Sequence, residues 1–430
     1  MYRLRKTVNG LLATAVVVVT LLPAPNAHAD VQPGDVITEK NVGQAEDLIS
    51  PAVKWMVNRG MRMQIGPYRP IEMPPAYVAA TKEYGAAVTL SEDKRRVDNW
   101  VAGQPFANLD PNDPDVAIKV MYNFASRWWE TDDVDVRNLD ADTGPIGHDD
   151  EGLIVEKHFV IDHFRRMYFT GRLANEPKPA YEPNNDSVRY KEALRPLIEP
   201  FDLKGVGFTY FRYLDENRQD DSWLYLPQLR RVRRLSSAQR SDALFGQDTD
   251  QDSYGGYAGN IAWMNWRFLG KKTMLACVHG EHFPVNWGKG GGDFSFDDVW
   301  EKRPVYVVEG QSTLAQYAYG KRVIFVDREG FFIPYSDIYD KAGQLWKIWL
   351  NDYKFAREPY PGAPPEGQYA SQMPFLPGIV MVDIQRDHAT RAALPSRSVD
   401  PGGGWRFNQG VEAGVSEDFF SVAELIKAGR

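Results

Sequence analysis

The chain has a single cysteine, Cys277, in 430 residues. That excludes an intramolecular disulfide and any multi-thiolate metal site. It also lacks a basic excess, with 50 Lys and Arg against 58 Asp and Glu and a formal charge of −8. Proteins that neutralise phosphates need the opposite balance, which argues against nucleic acid as a partner. No G-x-S-x-G elbow, H-E-x-x-H pair, G-x-x-x-x-G-K-[ST] loop or G-x-G-x-x-G turn occurs. There is no fixed-period repeat and no low-complexity tract. What the chain does have is aromatics: 12 Trp, 21 Tyr and 21 Phe. Such residues pack well on pleated surfaces and point to a β-rich body with large interior faces.

The first residues read as an export signal. Arg3, Arg5 and Lys6 precede an apolar run from Leu11 to Leu22, and Ala27-His28-Ala29 offers the small residues that a signal peptidase reads. The run is shorter than the roughly 20 residues that span a bilayer. No cysteine follows it, which excludes a lipoprotein anchor. The absence of consecutive arginines favours the general secretory route over the twin-arginine one. Removing residues 1–29 leaves 401 residues from Asp30 and a charge of −11, because three cations leave and no acids do. The expected location is the periplasm, with no transmembrane helix in the mature chain.

Residues 30–150 read as short helices between acidic, proline-rich loops. Ser50-Pro51, Pro75 and Asp113-Pro114 mark helix starts, and Thr131 to Gly144 reads as loop. From residue 151 to 354 the period becomes that of strands: Leu153–Tyr168, Val206–Leu214, Trp223–Leu235, Trp266–Val278, Val305–Gln311, Arg322–Asp327, Phe331–Tyr339 and Leu345–Leu350. Asp327-Arg328-Glu329-Gly330 and Asp340-Lys341-Ala342-Gly343 predict tight hairpins, so these strands form an antiparallel meander. Residues 355–430 read as loop-rich, broken at Gly402-Gly403-Gly404 and ending in a helix near Val422 to Lys427 with Ser421 and Glu424 as a capping box.

Several clusters invite a chemical reading. His279-Gly280-Glu281-His282 offers two imidazoles but no third ligand, and reads as a surface turn. Asp248-x-Asp250-x-Asp252 begins like a calcium loop, yet Ser253 and Gly259 stand where Gly and Glu are required. Arg230, Arg231, Arg233, Arg234 and Arg240 follow Trp223-Leu224-Tyr225-Leu226-Pro227. They read either as a binding surface for phosphate or carboxylate or as a charged strand face paired with the downstream aspartates. No nucleophile with an evident base appears, no cofactor is implied, and no catalytic or metal residues are assigned.

The run Trp223-Leu-Tyr-Leu-Pro-Gln-Leu-Arg-Arg-Val-Arg-Arg-Leu235 resembles the signature of a large family of exported bacterial proteins. Asp252 to Gly259 leading into Trp266-Arg-Phe-Leu-Gly-Lys271 agrees with it, as do Arg303 to Glu309, Lys321 to Asp327 and Ile338 to Lys347. That family is catalogued as domain of unknown function 1329 and is related to outer-membrane lipoprotein-sorting proteins (LolA/LolB-like). The resemblance implies an α+β fold: a strongly curved antiparallel sheet, a half-open barrel, with helices covering its concave side. Relatives of that fold carry acyl chains or lipids. Members of the family are often encoded beside resistance-nodulation-division exporters and outer-membrane β-barrel proteins. The family has no established catalytic residues to carry over, and this chain is much larger than the lipoprotein carriers.

The expectation is therefore a non-catalytic periplasmic carrier or binding protein for a lipid or other hydrophobic ligand, serving an envelope export system. Trp223, Tyr225, Tyr306, Phe325 and Trp346 are the candidate wall residues, with Arg231 and Arg233 at the rim. The alternative is an envelope accessory protein of an exporter or barrel that takes no small ligand. A hydrolase comes third.

Overall fold

The computed structural model describes residues 30–129, 132–236, 239–355, 373–395 and 404–429. The leader, residues 1–29, and Gly402-Gly403 lie outside them. The chain begins with β1 (Val36–Ile37), α1 (Pro51–Asn58), β2 (Met63–Ile65), α2 (Pro75–Tyr84), a small hairpin of β3 (Thr89–Leu90) and β4 (Val97–Asp98), and α3 (Val116–Ala125). A first meander follows: β5 (Asp133–Pro145), β6 (Lys157–Tyr168), β7 (Val188–Glu199), β8 (Gly207–Tyr213), β9 (Asp221–Leu226) and β10 (Arg231–Arg234). After a long connection comes a second: β11 (Met264–Ala276), β12 (Val299–Ser312), β13 (Lys321–Asp327), β14 (Tyr335–Tyr339), β15 (Leu345–Phe355), β16 (Pro374–Asp383) and β17 (His388–Ala393). β18 (Trp405–Phe407) and α4 (Val422–Ala428) close the chain.

The two meanders form one sheet because β17 pairs with β5, from His388 opposite Pro145 to Ala393 opposite Asp140. Its order is β11-β12-β13-β14-β15-β16-β17-β5-β6-β7-β8-β9-β10, antiparallel throughout, and it does not close on itself. β2 adds parallel to the start of β12, and β18 pairs with β5 beyond the reach of β17. The molecule is mostly β-sheet with few helices. Among the described residues no helix is long and apolar enough to cross a membrane.

The Asp340 hairpin forms as read; at Asp327 the turn forms, but β14 begins only at Tyr335, so residues 328–334 separate the two strands. Asp327 Oδ1 accepts from the Glu329 and Gly330 N–H groups at 2.8 Å, and Asp340 Oδ1 accepts from Ala342 and Gln344 at 2.9 Å. Three differences have physical causes. Trp223–Leu235 is two strands, because Pro227–Leu229 forms a 3-10 turn that Arg230 closes in the left-handed region (φ 48°). β5, read as loop, is an Asp-rich strand whose acids find cations elsewhere: Asp135 bonds Arg165 and His163, and Asp142 bonds Arg391. β7 contains Pro196 and was not read as a strand; the ladder shifts register by one residue close to it, between Val160 and Ile161 of β6.

Alternation sorts the two faces of the sheet. Leu194 and Arg195 are neighbours on β7; Leu194 faces inward, while Arg195 donates to the Glu424 and Phe419 carbonyls beneath α4. On β14, Ser336 Oγ donates to the Gly256 carbonyl, whereas Asp337 accepts from Ser50 Oγ at the N-terminus of α1 (2.8 Å). α1 and α4 therefore lie on the outer face. α3 packs with Tyr257 and Ile261 over β11–β13. The inner face elsewhere is covered by irregular chain between β10 and β11, residues 235–236 and 239–258, not by the expected helices. We call this segment the strap.

The strap is held by buried charge. Asp252 binds Arg240 (2.5 Å), which also binds Asp220 (2.8 Å), itself paired with Arg212 (2.8 Å). Asp250 accepts from Ser253 Oγ (2.5 Å) and Tyr319 Oη (2.7 Å) and lies 3.6 Å from Arg322. Asp248 bonds His388 Nδ1 (2.8 Å), and its carbonyl accepts from Lys347 Nζ (2.9 Å). The three aspartates of the calcium-like run thus meet protein side chains, His388, Arg322 and Arg240. Burial opposes ionisation of Asp220, yet Arg212 and Arg240 hold its carboxyl below the usual range. Two glycines complete the strap: Gly256 (φ 97°) leaves no room for a Cβ beside Ile333, and one on Gly255 would lie 2.9 Å from the Trp129 ring.

Removing Arg240 leaves Asp220 and Asp252 buried without their shared partner. Arg240→Leu is expected to lose about 3–5 kcal/mol in urea unfolding at neutral pH; a loss near zero would show that the pairs do not hold the strap.

Glu216 is buried and accepts from the Ala262 N–H (2.8 Å); burial pushes its carboxyl up to about 7, against the pull of Arg189. Burial does the same to Asp337, also to about 7. Raised carboxyls favour the protonated folded state. Their contribution is full below the ordinary carboxylate range and is lost as pH rises through about 7. Stability should therefore fall between about pH 5 and pH 8, and Glu216→Gln should flatten that slope.

Candidate functional site

Between strap and sheet lies a cavity of about 410 Å³. One wall is a single cross-strand row set by register: Trp405 opposite Val136, Val136 opposite Phe164, then Leu194, Phe208 and Leu224 in turn. Leu139 joins Val136 on this wall because Asn138 between them is left-handed (φ 56°) and breaks the alternation. The opposite side comes from Leu244, Phe245, Tyr254 and Gly255 of the strap, with Trp349 of β15 and Ile379 of β16. The Tyr254 and Trp349 rings meet edge to face at 5.4 Å. Leu224 and Trp349 lie seven strands apart in the sheet order, about 34 Å on a flat sheet. Both border the same cavity, so the sheet curls around it.

The lining is chiefly aliphatic and aromatic. Its main charged feature is Arg166 with Glu192, Nη2 to Oε2 at 2.5 Å and Nε to the same oxygen at 2.7 Å, within the next cross-strand row. Gln239, Asp242 and Gln251 add polar groups from the strap. Such a lining has the character of an apolar chamber with one charged pair at its side.

None of the seven candidate residues from sequence lines this cavity. Trp223 and Tyr225 flank Leu224 and so face outward, Trp223 against Phe211 (4.9 Å) and Tyr225 beneath Gly429. Arg231 and Arg233 are exposed on β10; Arg233 sits directly opposite Leu224, beside the wall. Tyr306 stacks on Phe331 at 6.2 Å in the core under α3, and Phe325 packs on Tyr335 at 4.8 Å in the main core. Trp346 donates from Nε1 to Asp383 (3.1 Å) at the end of β15. The signal for the wall was Leu224, the small apolar residue between two conspicuous aromatics.

The arginine run is also divided. Arg240 is buried in the strap anchor and Arg234 pairs with Asp221, while Arg230, Arg231 and Arg233 are exposed and make no ion pair among the described residues. His279 and His282 turn to separate carboxylates, Glu301 (2.6 Å) and Asp298 (3.1 Å). Asp140, Asp142 and His158 come close enough to share a cation, but Asp142 already holds Arg391 at 3.1 Å.

An uncharacterised protein of Pseudomonas aeruginosa is 22% identical over 342 residues, 75% of this chain and 70% of its own. A domain from Vibrio parahaemolyticus, described as an outer membrane lipoprotein-sorting protein, is 16% identical, with 73% of this chain and 100% of that one covered and a TM-score of 0.46. A family protein from Desulfovibrio piger is 13% identical over the same shares, with a TM-score of 0.47. A LolA superfamily protein from Nitrosomonas europaea is 13% identical over 72% of this chain and 98% of that one, with a TM-score of 0.38. The family model described as "Protein of unknown function (DUF1329)" matches residues 36–425, and the chain belongs to that family.

Proposed function

We propose that this protein binds or carries a lipid or other hydrophobic molecule in the periplasm and does so without catalysis. The observation that supports this is the strapped cavity of about 410 Å³, walled by Phe164, Leu194, Phe208, Leu224 and Trp349. Its volume falls in the usual range for small-molecule sites, about 300–1,000 Å³. Each methylene transferred from water into such a wall contributes about 0.8 kcal/mol, so an acyl chain needs no covalent attachment to stay. The Arg166–Glu192 pair suits the polar end of an amphipathic ligand, because a guanidinium and a carboxylate together offer a donor and an acceptor. The signal-like leader supports export. On this reading an exporter of the resistance-nodulation-division class, or an outer-membrane barrel, would supply or receive the ligand.

Native mass spectrometry and lipid extraction of protein purified from its own envelope should recover a hydrophobic molecule. Leu194→Trp, which fills the chamber, should weaken binding of a fluorescent fatty-acid analogue at least about tenfold, the scale of one lost apolar contact surface. A protein that is empty and binds no lipid would sink the reading.

A further inference from the structure

One end of the sheet carries an unusual share of bare apolar surface. Ile154 and Val155 before β6, Ile198 and Phe201 at the β7–β8 turn, and Leu229 at the β9–β10 turn are all exposed. Phe201 is 88% exposed and Leu229 51%. The first two sites adjoin, since Glu156, Lys157, Ile198 and Phe201 border one surface depression. The two turns touch: Gln228 Nε2 donates to the Asp202 carbonyl, and a Cβ on Gly205 would lie 3.1 Å from Pro227.

Charge at the β9–β10 turn runs against that of the whole chain. Arg230, Arg231 and Arg233 stand together there, while the neighbouring turns carry Lys157 and Lys204 with Asp149, Asp150, Glu151, Glu156, Glu199 and Asp202, on a protein of net charge −8. Arg230, Arg231 and Arg233 find no acid among the described residues. A protein interface would gather its apolar side chains into one flat patch. Here they stand on the tips of three neighbouring turns with arginines beside them, the arrangement that places apolar tips among acyl chains and cations at headgroup phosphates.

We propose that these turns are a docking tip for the surface of a bilayer containing anionic lipid, with Phe201 and Leu229 inserting and Arg231 and Arg233 contacting phosphates. The tip lies on the strands that carry Leu194 and Leu224, so a docked molecule would hold the cavity wall close to the membrane. Docking does not require the cavity to be filled, and the two readings fail separately.

The test is flotation of the full exported chain with vesicles of phosphatidylethanolamine and phosphatidylglycerol, against vesicles of phosphatidylcholine alone. The protein should float with the first, and less so as salt rises. Phe201→Ser with Leu229→Ser should reduce binding about tenfold or more. Arg231→Ser with Arg233→Ser should reduce it roughly fivefold per arginine at low salt and remove the salt dependence. All four positions are exposed, so circular dichroism should stay unchanged for both variants, and the Phe201→Ser, Leu229→Ser variant should bind the fluorescent fatty-acid analogue as the unaltered chain does. Absence of flotation, flotation equal for all variants, or binding only to a purified envelope protein would each overturn the proposal.

Discussion

The cavity of this molecule depends on how an irregular strap is fixed across the inner face of a sheet. A segment without a hydrogen-bonded ladder has backbone groups to satisfy and little apolar surface to bury. The answer here is electrostatic: Asp248, Asp250 and Asp252 project to His388, Arg322 and Arg240, on β17, on β13 and within the strap itself. Arg240 in turn reaches Asp220 at the start of β9. The contacts thus tie the strap to both meanders. Desolvation makes such pairs poor stabilisers in net terms, but it makes their loss costly and their geometry specific.

Much of the frame was legible because its causes are local. The Asp327 and Asp340 turns are made by side chains bonding backbone two to four residues away, and the Ser50 and Ser421 caps by bonds three residues away. The strands that escaped reading are those whose causes are remote. Asp142 sits comfortably in β5 only because Arg391, far along the chain, lies opposite it. The cavity wall escaped for the same reason. Aromatic prominence pointed to Trp223 and Tyr225, but the side they face is set by register, and by an alternation that Asn138 and the offset near Pro196 both disturb.

The covering layer shows how the expected half-barrel is modified. The helices of this chain pack mainly elsewhere, with α1 and α4 outside and α3 over the β11–β13 end. The strap takes their place over the cavity. The sheet still curls around the cavity, as the resemblance implied. Composition took part in this: the aromatics among the described residues serve the outer face, three separate cores and the cavity alike, so the count of 54 alone marked none of these places.

The joint between β17 and β5 has a consequence for how the chain is made. Residues that meet there are some 250 positions apart, and the first meander is complete long before its partner strand exists. A chain emerging from its amino end presents β5 as an open edge until nearly all of it has been made, and Trp405 can reach Val136 only at the finish. The chamber therefore draws on the last strands of the chain: without β16 and β18 it lacks Ile379 and Trp405 from its lining.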